Sequence, residues 1–283
     1  MTAEPAAQPA TETADVVLRD LRPDGVLVLT LNRPDRANAW NMELEEGYFA
    51  ALTDAAADPA VKVIVVTGAG KAFCPGMDSQ VLSTSVNQGQ HPNRFRRPMV
   101  LAAKVPKPVI VAINGACAGI GLIQALAADV RFANRGAKLT TAFARRGLLA
   151  ENGISWMITR LVGTGVAMDL LLSGRVVDAD EAKALGLVNF VSDPGKALDD
   201  AIAYASDMAA NCSPNAMARI KAQVYADYER AFDEARTDAL AGLADFKRHP
   251  DFKEGVNSFV EKRAPQFAGL SFAVTDHRDE LPE

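Results

Sequence analysis

An α/β core followed by a helical appendage is the fold class this chain predicts, and three observations carry it. Strand-like and helix-like segments alternate up to about residue 195, and from residue 197 onward the pattern is helical alone. Two apolar runs, VKVIVVT at 61–67 and PVIVAI at 108–113, have the length and β-branched content of buried strands. Outside the two ends, no repeat of fixed period and no low-complexity segment interrupts the alternation.

In chain order, residues 1–14 are rich in Ala, Pro, Thr and Glu and are expected to form a disordered tail. Residues 16–19 and 26–31 read as two strands joined by a turn at Pro23, Asp24 and Gly25. Asn32, Arg33, Pro34 and Asp35 break the second strand, and Asn41 is placed to cap a helix running to about residue 57. The strand at 61–67 leads into the loop GAGKAFCPGMD, 68–78. Residues 83–98 are polar and contain Pro92 and Pro98, which predicts a loop or a mobile helix. After the strand at 108–113 comes a glycine-rich junction, then an apolar stretch at 122–128 that suits a helix buried all round. Short strands are expected at 130–134 and 138–141, a helix at about 154–161, a helix start at Asp178, and a last strand at 187–191. Helical patterns at 214–234 and 256–263 fill the C-terminal part. The organisation expected is a tail (1–14), a core (15–200), a helical region (201–267) and a second tail (268–283).

Composition narrows the function classes. A 283-residue chain that is 49% hydrophobic can bury a full core. Its net charge of −5 and the lack of a basic aromatic strip argue against nucleic acid as a partner. Arg and Asp interrupt every apolar run, so no membrane span is expected. Cys74, Cys117 and Cys212 lack metal-ligand spacing and suit free thiols in a reducing compartment. The N-terminus has no signal-peptide pattern and the final DELPE is no retrieval signal, so a cytoplasmic location is expected. His91, His249 and His277 fall in polar loops or tails and build no nucleophile–base pair. No cluster has the spacing of a metal site, so no metal is expected.

The glycine-rich junction spans residues 114–129, NGACAGIGLIQALAAD, with Gly115, Gly119 and Gly121 between strand and helix. It matches neither usual nucleotide fingerprint. Two readings stay open. One is a tight packing turn. The other is a helix N-terminus whose free N–H groups hold an anion, including a thioester oxygen that becomes negative during a reaction.

Four separated segments then line up: Asn32-Arg33-Pro34 with Ala37-Asn38-Ala39, residues 68–78, residues 114–129, and residues 147–153. With Phe259 to Arg263 near the end, they resemble the crotonase superfamily, the enoyl-CoA hydratase/isomerase family, over residues 16–267. The resemblance implies a crotonase-type ββα spiral core, a helical C-terminal trimerisation region, and an acyl-CoA thioester as ligand. The assembly implied is a homotrimer or a dimer of trimers, and coenzyme A enters as part of the substrate rather than as a separate cofactor. It also implies that the N–H groups of Met77 and Ile120 form an oxyanion hole, each worth about 3 kcal/mol of transition-state stabilisation. Gly76, Gly119 and Gly121 shape the two loops. Asp78 belongs to the same binding loop, although its type and place predict a helix cap. Arg36, Ala37 and Pro75 match the adenine pocket. Lys262 matches a basic residue that reaches the phosphates from a neighbouring subunit, or it is an ordinary solvated lysine. Arg94, Arg96, Arg97, Arg145 and Arg146 are further candidates for phosphate or a free carboxylate, or else a solvated face.

The carboxylates depart from the hydratase pattern. Hydratases of this family place glutamates where this chain has Ile123 and Phe143. What remains is Glu151, in a segment that resembles peroxisomal-type Δ3,Δ2-enoyl-CoA isomerases. One base that removes a proton at C2 and returns it at C4 suffices to move a double bond. A hydratase using Glu151 as its sole acid/base, and a non-catalytic acyl-CoA binder, are the alternatives. In the second of these, Glu151 only complements a helix dipole. The acyl pocket is expected from residues 79–100.

Overall fold

A computed structural model describes residues 15–88 and 99–271. The chain opens with a hairpin of β1 (Val17–Leu21) and β2 (Val26–Leu31), which turns at Gly25 with φ of 89°. Helix α1 (Met42–Ala57) starts where the Asn41 side chain accepts the Leu44 N–H at 2.9 Å. Then come β3 (Val63–Gly68), β4 (Ala72–Cys74), α2 (Ser79–Gln88) and α3 (Leu101–Lys104). The next turn is β5 (Val109–Ile113), β6 (Ala116–Ala118) and α4 (Ile120–Ala127). A third follows as β7 (Val130–Asn134), β8 (Lys138–Thr140) and α5 (Ile154–Ser173). The core closes with β9 (Val177–Asp178), α6 (Ala179–Leu185), β10 (Phe190–Ser192) and α7 (Ala197–Asn211), and α8 (Pro214–Asp227), α9 (Phe232–Phe246) and α10 (Pro250–Glu261) complete the chain.

Three times in succession a long strand, a short strand and a helix follow one another, so the ββα spiral is present in outline. The long strands join one sheet, ordered β1-β2-β3-β5-β7-β10, and the short ones a second, ordered β4-β6-β8-β9. In β2 the alternation is visible residue by residue. Leu27, Leu29 and Leu31 enter the core between the sheets and helices, while Val26 and Val28 face the other way, towards α7. There Ala201, Ala205 and Ala209 recur every four residues, and side chains that small let α7 lie close on the sheet. A division at residue 200 therefore runs through α7, and the helices that stand off from the sheet begin at α8. Lys221 ties α8 to the core. Its largely covered ammonium donates to Asp129 at 2.8 Å and to the Ala102 carbonyl at 2.8 Å.

Several expectations are corrected. The loop at 68–78 and the glycine junction each hide a three-residue strand, β4 and β6. Residues 83–98 are helical up to Gln88, and 89–98 lie outside the described residues. The helix at 154–161 extends over 20 residues and is broken at Gly163, where φ is 75° and ψ 161°. By length and composition this segment passes for a membrane span, contrary to the sequence reading. The break divides it into halves of about 15 Å, each too short to cross a hydrocarbon core of about 30 Å. The last strand begins at Phe190 rather than 187, because Leu187 and Val188 donate their N–H groups to the Ala182 carbonyl at the end of α6. The 214–234 pattern splits into two helices, with Ala231 in extended conformation opening the second. The last helix starts earlier than 256, at Pro250, a residue suited to the first helical position. The start of the expected C-terminal tail is held in place: the Ser271 N–H and hydroxyl both donate to the Asn215 side chain at 2.9 Å.

Candidate active site

Strands β4 and β6 are parallel neighbours with Cys74 opposite Cys117, and each runs out into a glycine loop. Pro75, Gly76 and Met77 form one loop, Ala118, Gly119 and Ile120 the other. The loops lie side by side, since a Cβ built on Gly119 would stand 3.9 Å from the Gly76 Cα. Gly76 and Gly119 both have positive φ, 119° and 51°, which an L side chain resists. Gly121 is required for a different reason. A Cβ there would lie 2.2 Å from the Cys74 carbonyl oxygen. The junction is thus a packing turn and an open helix N-terminus at once.

The backbone pattern fixes which N–H groups are left over. The Trp40 N–H donates to the Gly76 carbonyl and the Asp78 N–H to the Trp40 carbonyl, both at 2.8 Å. In such a parallel bridge the middle residue, Met77, turns its own N–H to the opposite side. In the second loop the Gly119 N–H goes to the Thr140 carbonyl at 3.2 Å, and the first bond of α4 is Ile123 N–H to Gly119 at 3.0 Å. The Ile120 N–H falls in the first turn, ahead of the helical ladder. Among the described residues neither Met77 N–H nor Ile120 N–H has an acceptor. Ile120, Ile123 and Phe143 are buried, so the surroundings of the junction are apolar.

Next to Met77, Asp78 is buried between two guanidinium groups, Arg33 at 3.0 Å and Arg36 at 3.1 Å. It also accepts the Gln80 N–H at 3.0 Å, near the start of α2. Burial alone pushes this carboxyl up, but the Gln80 N–H and the Arg36 and Arg33 bonds outweigh it and hold it below the ordinary aspartate range. Its charge therefore stabilises the fold at neutral pH, and that contribution fades only as pH falls through the depressed value. The Asp78 carboxylate thus makes the helix-cap contact its type and place predict, together with two ion pairs, in the loop that carries Met77. Arg36, Ala37 and Pro75 are exposed, with Ala37 in left-handed conformation, and Arg36 is brought beside the Met77 loop through Asp78. Lys262 sits apart, as the exposed left-handed residue that ends α10. Arg145 donates to the Ser173 carbonyl at 2.7 Å, while Arg94, Arg96, Arg97, His91 and His277 lie outside the described residues. His249 is the cap of α10, accepting the Asp251 N–H.

Glu151 is half-buried just before α5. Its carbonyl accepts the Ile154 N–H at 3.0 Å, and Asn152 and Gly153 both take positive φ to make the turn. Gly119 is bonded to Thr140 at the end of β8, and the chain then passes the buried Phe143 to reach Glu151. Beside it opens a cavity of about 520 Å³, lined by Val100, Asn152, Gly153, Trp156, Met157 and Tyr225 among others. Of residues 79–100, Val100 lines this cavity. The walls from α5 and α8 were missed, because nothing in their local sequence marks them as neighbours. Asn38 and Asn114 were missed as well. Asn38 donates to the Ala69 and Ala72 carbonyls at 2.9 and 2.8 Å, and Asn114 to the Gly70 and Ala72 carbonyls at 3.0 and 3.2 Å. Together they knit the loop that leads to Met77. Their signal is an asparagine directly after or near a strand end, where loop carbonyls need donors.

The profile of the enoyl-CoA hydratase/isomerase family matches residues 22–270. The chain belongs to that family. An Escherichia coli protein named 1,2-epoxyphenylacetyl-CoA isomerase is 34% identical over 259 residues, covering 87% of this chain and 95% of that one. A Mycobacterium leprae protein named probable enoyl-CoA hydratase echA12 is 38% identical over 215 residues, 72% of this chain and 73% of that one. The crystal structure of a probable enoyl-CoA hydratase/isomerase from Mycobacterium abscessus superposes with a TM-score of 0.83 at 33% identity, covering 89% of this chain and 98% of that one. As a member of the enoyl-CoA hydratase/isomerase family, the chain has the α/β fold and helical C-terminal region of its structural neighbours.

Proposed function

We propose that this family member moves the double bond of an enoyl-CoA thioester, with Glu151 as the single acid/base and the Met77 and Ile120 N–H groups holding the enolate oxygen. One observation carries the reading. The two positions where hydratases of the family keep glutamates hold Ile123 and Phe143, both buried, which leaves Glu151 as the carboxylate of that segment. Removal of a C2 proton by Glu151 sends the electron pair into the thioester carbonyl, and the negative oxygen is met by two N–H donors. Return of the same proton at C4 completes the shift without water. The likeness of the 147–153 segment to peroxisomal-type Δ3,Δ2-enoyl-CoA isomerases supports this form. A hydratase with Glu151 as sole acid/base is the second reading. The hydratase names of several relatives favour it, and Asn152, which lines the cavity, is its candidate to hold the water. Incubation with a 3-enoyl-CoA and a 2-enoyl-CoA separates the two. The isomerase converts the first into the second without forming a hydroxyacyl product. Consumption of the 2-enoyl substrate alone, giving a 3-hydroxyacyl-CoA, sinks it.

The same proposal takes the protein as a homotrimer or a dimer of trimers in the cytoplasm. Phe232, Leu240, Phe259 and Val260 on α9 and α10 are exposed in the single chain, an apolar surface that assembly would cover. A monomeric mass by analytical ultracentrifugation at micromolar protein would count against the assembly. The free state of Cys74, Cys117 and Cys212 suits the location.

A further inference from the structure

We infer that Trp40 and Glu45 are positioning residues for the Met77 N–H, and that the hydrogen bond between their side chains sets the aim of the oxyanion hole. The inference rests on the oxyanion reading above, though not on the choice between isomerase and hydratase. Trp40 meets the Met77 loop through both of its backbone groups: its N–H donates to Gly76 and its carbonyl accepts from Asp78, each at 2.8 Å. Wherever Trp40 stands, Met77 follows. Trp40 itself is held by its side chain. Its indole Nε1–H donates to Glu45 Oε2 at 3.0 Å, and its ring meets Tyr48 and Phe49 at centroid distances of 5.7 and 6.2 Å. Glu45, Tyr48 and Phe49 all lie on α1, so that helix is the fixed frame against which the loop is aligned.

Glu45 is a costly residue for that place. It is 6% exposed and Trp40 only 1%. An aliphatic side chain at this position of α1 would avoid desolvating a carboxylate, but would leave the indole N–H without a partner. Burial pushes the Glu45 carboxyl up to about 7, against the pull of the Trp40 N–H, and Glu46 beside it raises it further. A carboxylate kept at such a site is explained by what it holds. Oxyanion donors act over 2.7–3.1 Å, and a misplacement of about 1 Å costs about 100-fold in rate. A hydrogen bond that fixes Trp40 is therefore worth more to turnover than to stability.

The test uses the full chain and a conjugated aryl-enoyl-CoA whose absorption moves to longer wavelength when its thioester carbonyl is polarised. This reads the oxyanion hole directly, whichever reaction the enzyme carries out. The wild-type protein is expected to shift the band. Glu45→Gln keeps an oxygen acceptor for the indole N–H, and is expected to keep the shift and a kcat within about threefold. Glu45→Leu and Trp40→Phe each abolish the bond; they are expected to lose most of the shift and roughly 10- to 100-fold in kcat, with KM nearly unchanged. Glu45→Met serves if Glu45→Leu does not fold. Should the bond-deleting variants keep both shift and kcat while only the melting temperature changes, the pair is core packing and the inference is overturned. A wild-type protein that binds the thioester with no shift overturns the oxyanion reading itself, and the inference with it.

Discussion

Glu151→Gln is expected to lower turnover of a 3-enoyl-CoA at least 100-fold while acyl-CoA binding changes less than threefold. Gln has nearly the shape of Glu and keeps an acceptor oxygen, so the turn made by Asn152 and Gly153 survives and the start of α5 is undisturbed. What it loses is the ability to take a proton. In an enzyme with two acid/base groups, loss of one leaves the other to carry part of the step. Here the two family positions are filled by Ile123 and Phe143, which are buried and apolar, so neither can stand in. The oxyanion donors are backbone N–H groups and remain, which is why a residual rate above the uncatalysed reaction should persist. The measurement is a single-turnover assay beside calorimetric titration with a saturated acyl-CoA. A variant whose kcat stays within threefold of wild type removes Glu151 from the chemistry. If wild type and variant bind equally and neither turns over any enoyl-CoA, the protein is an acyl-CoA binder on an enzyme scaffold.

Much of this site was legible because its parts sit in contiguous segments with distinctive residue types. The runs that became β3 and β5 announce themselves, since a strand buried on both faces must be apolar throughout. Glu151 and the glycine loops lie in segments whose order alone is telling. What stayed hidden depends on partners far away in the chain. Strands β4 and β6 are three residues each, and they are strands only because Ala72 pairs with Ala116 and Cys74 with Cys117. Trp40 gave no local sign of aligning Met77, because the contact is made by backbone groups that carry no residue identity. The same holds for the cavity wall, which Tyr225 of α8 and Trp156 of α5 line together from distant parts of the sequence. The helix expected at about 154–161 shows the opposite case: it does break, at Gly163, but the chain resumes as a second helical piece that reaches Ser173.

Gly121→Ala is the substitution expected to damage fold and site together. At an ordinary helical position this change helps, by about 1 kcal/mol, because alanine restricts the unfolded chain. Gly121 does not have positive φ, so backbone conformation raises no objection. Space does. The new Cβ would fall 2.2 Å from the Cys74 carbonyl oxygen and 2.8 Å from the Cys74 Cβ, and neither can swing aside as a flexible side-chain tip would. Cys74 is pinned by its pairing with Cys117 and is fully buried. The strain must therefore go into the first turn of α4, which carries the Ile120 N–H. Overpacking of this kind costs about 3 kcal/mol and outweighs the helical gain. The net loss of about 2 kcal/mol corresponds to a fall in melting temperature of roughly 3–4 °C for a chain of this size. Because α4 moves against β4, the two donors separate, and kcat is expected to fall by a further factor of roughly 10–100 in the protein that remains folded. Gly165→Ala is the control. Gly165 lies in the second half of α5, has nothing within 4 Å of its added Cβ and no positive φ, so it should melt at or slightly above the wild-type temperature with full turnover. If Gly121→Ala matches that control in both melting and kcat, the contact with Cys74 does not set the position of the Ile120 N–H.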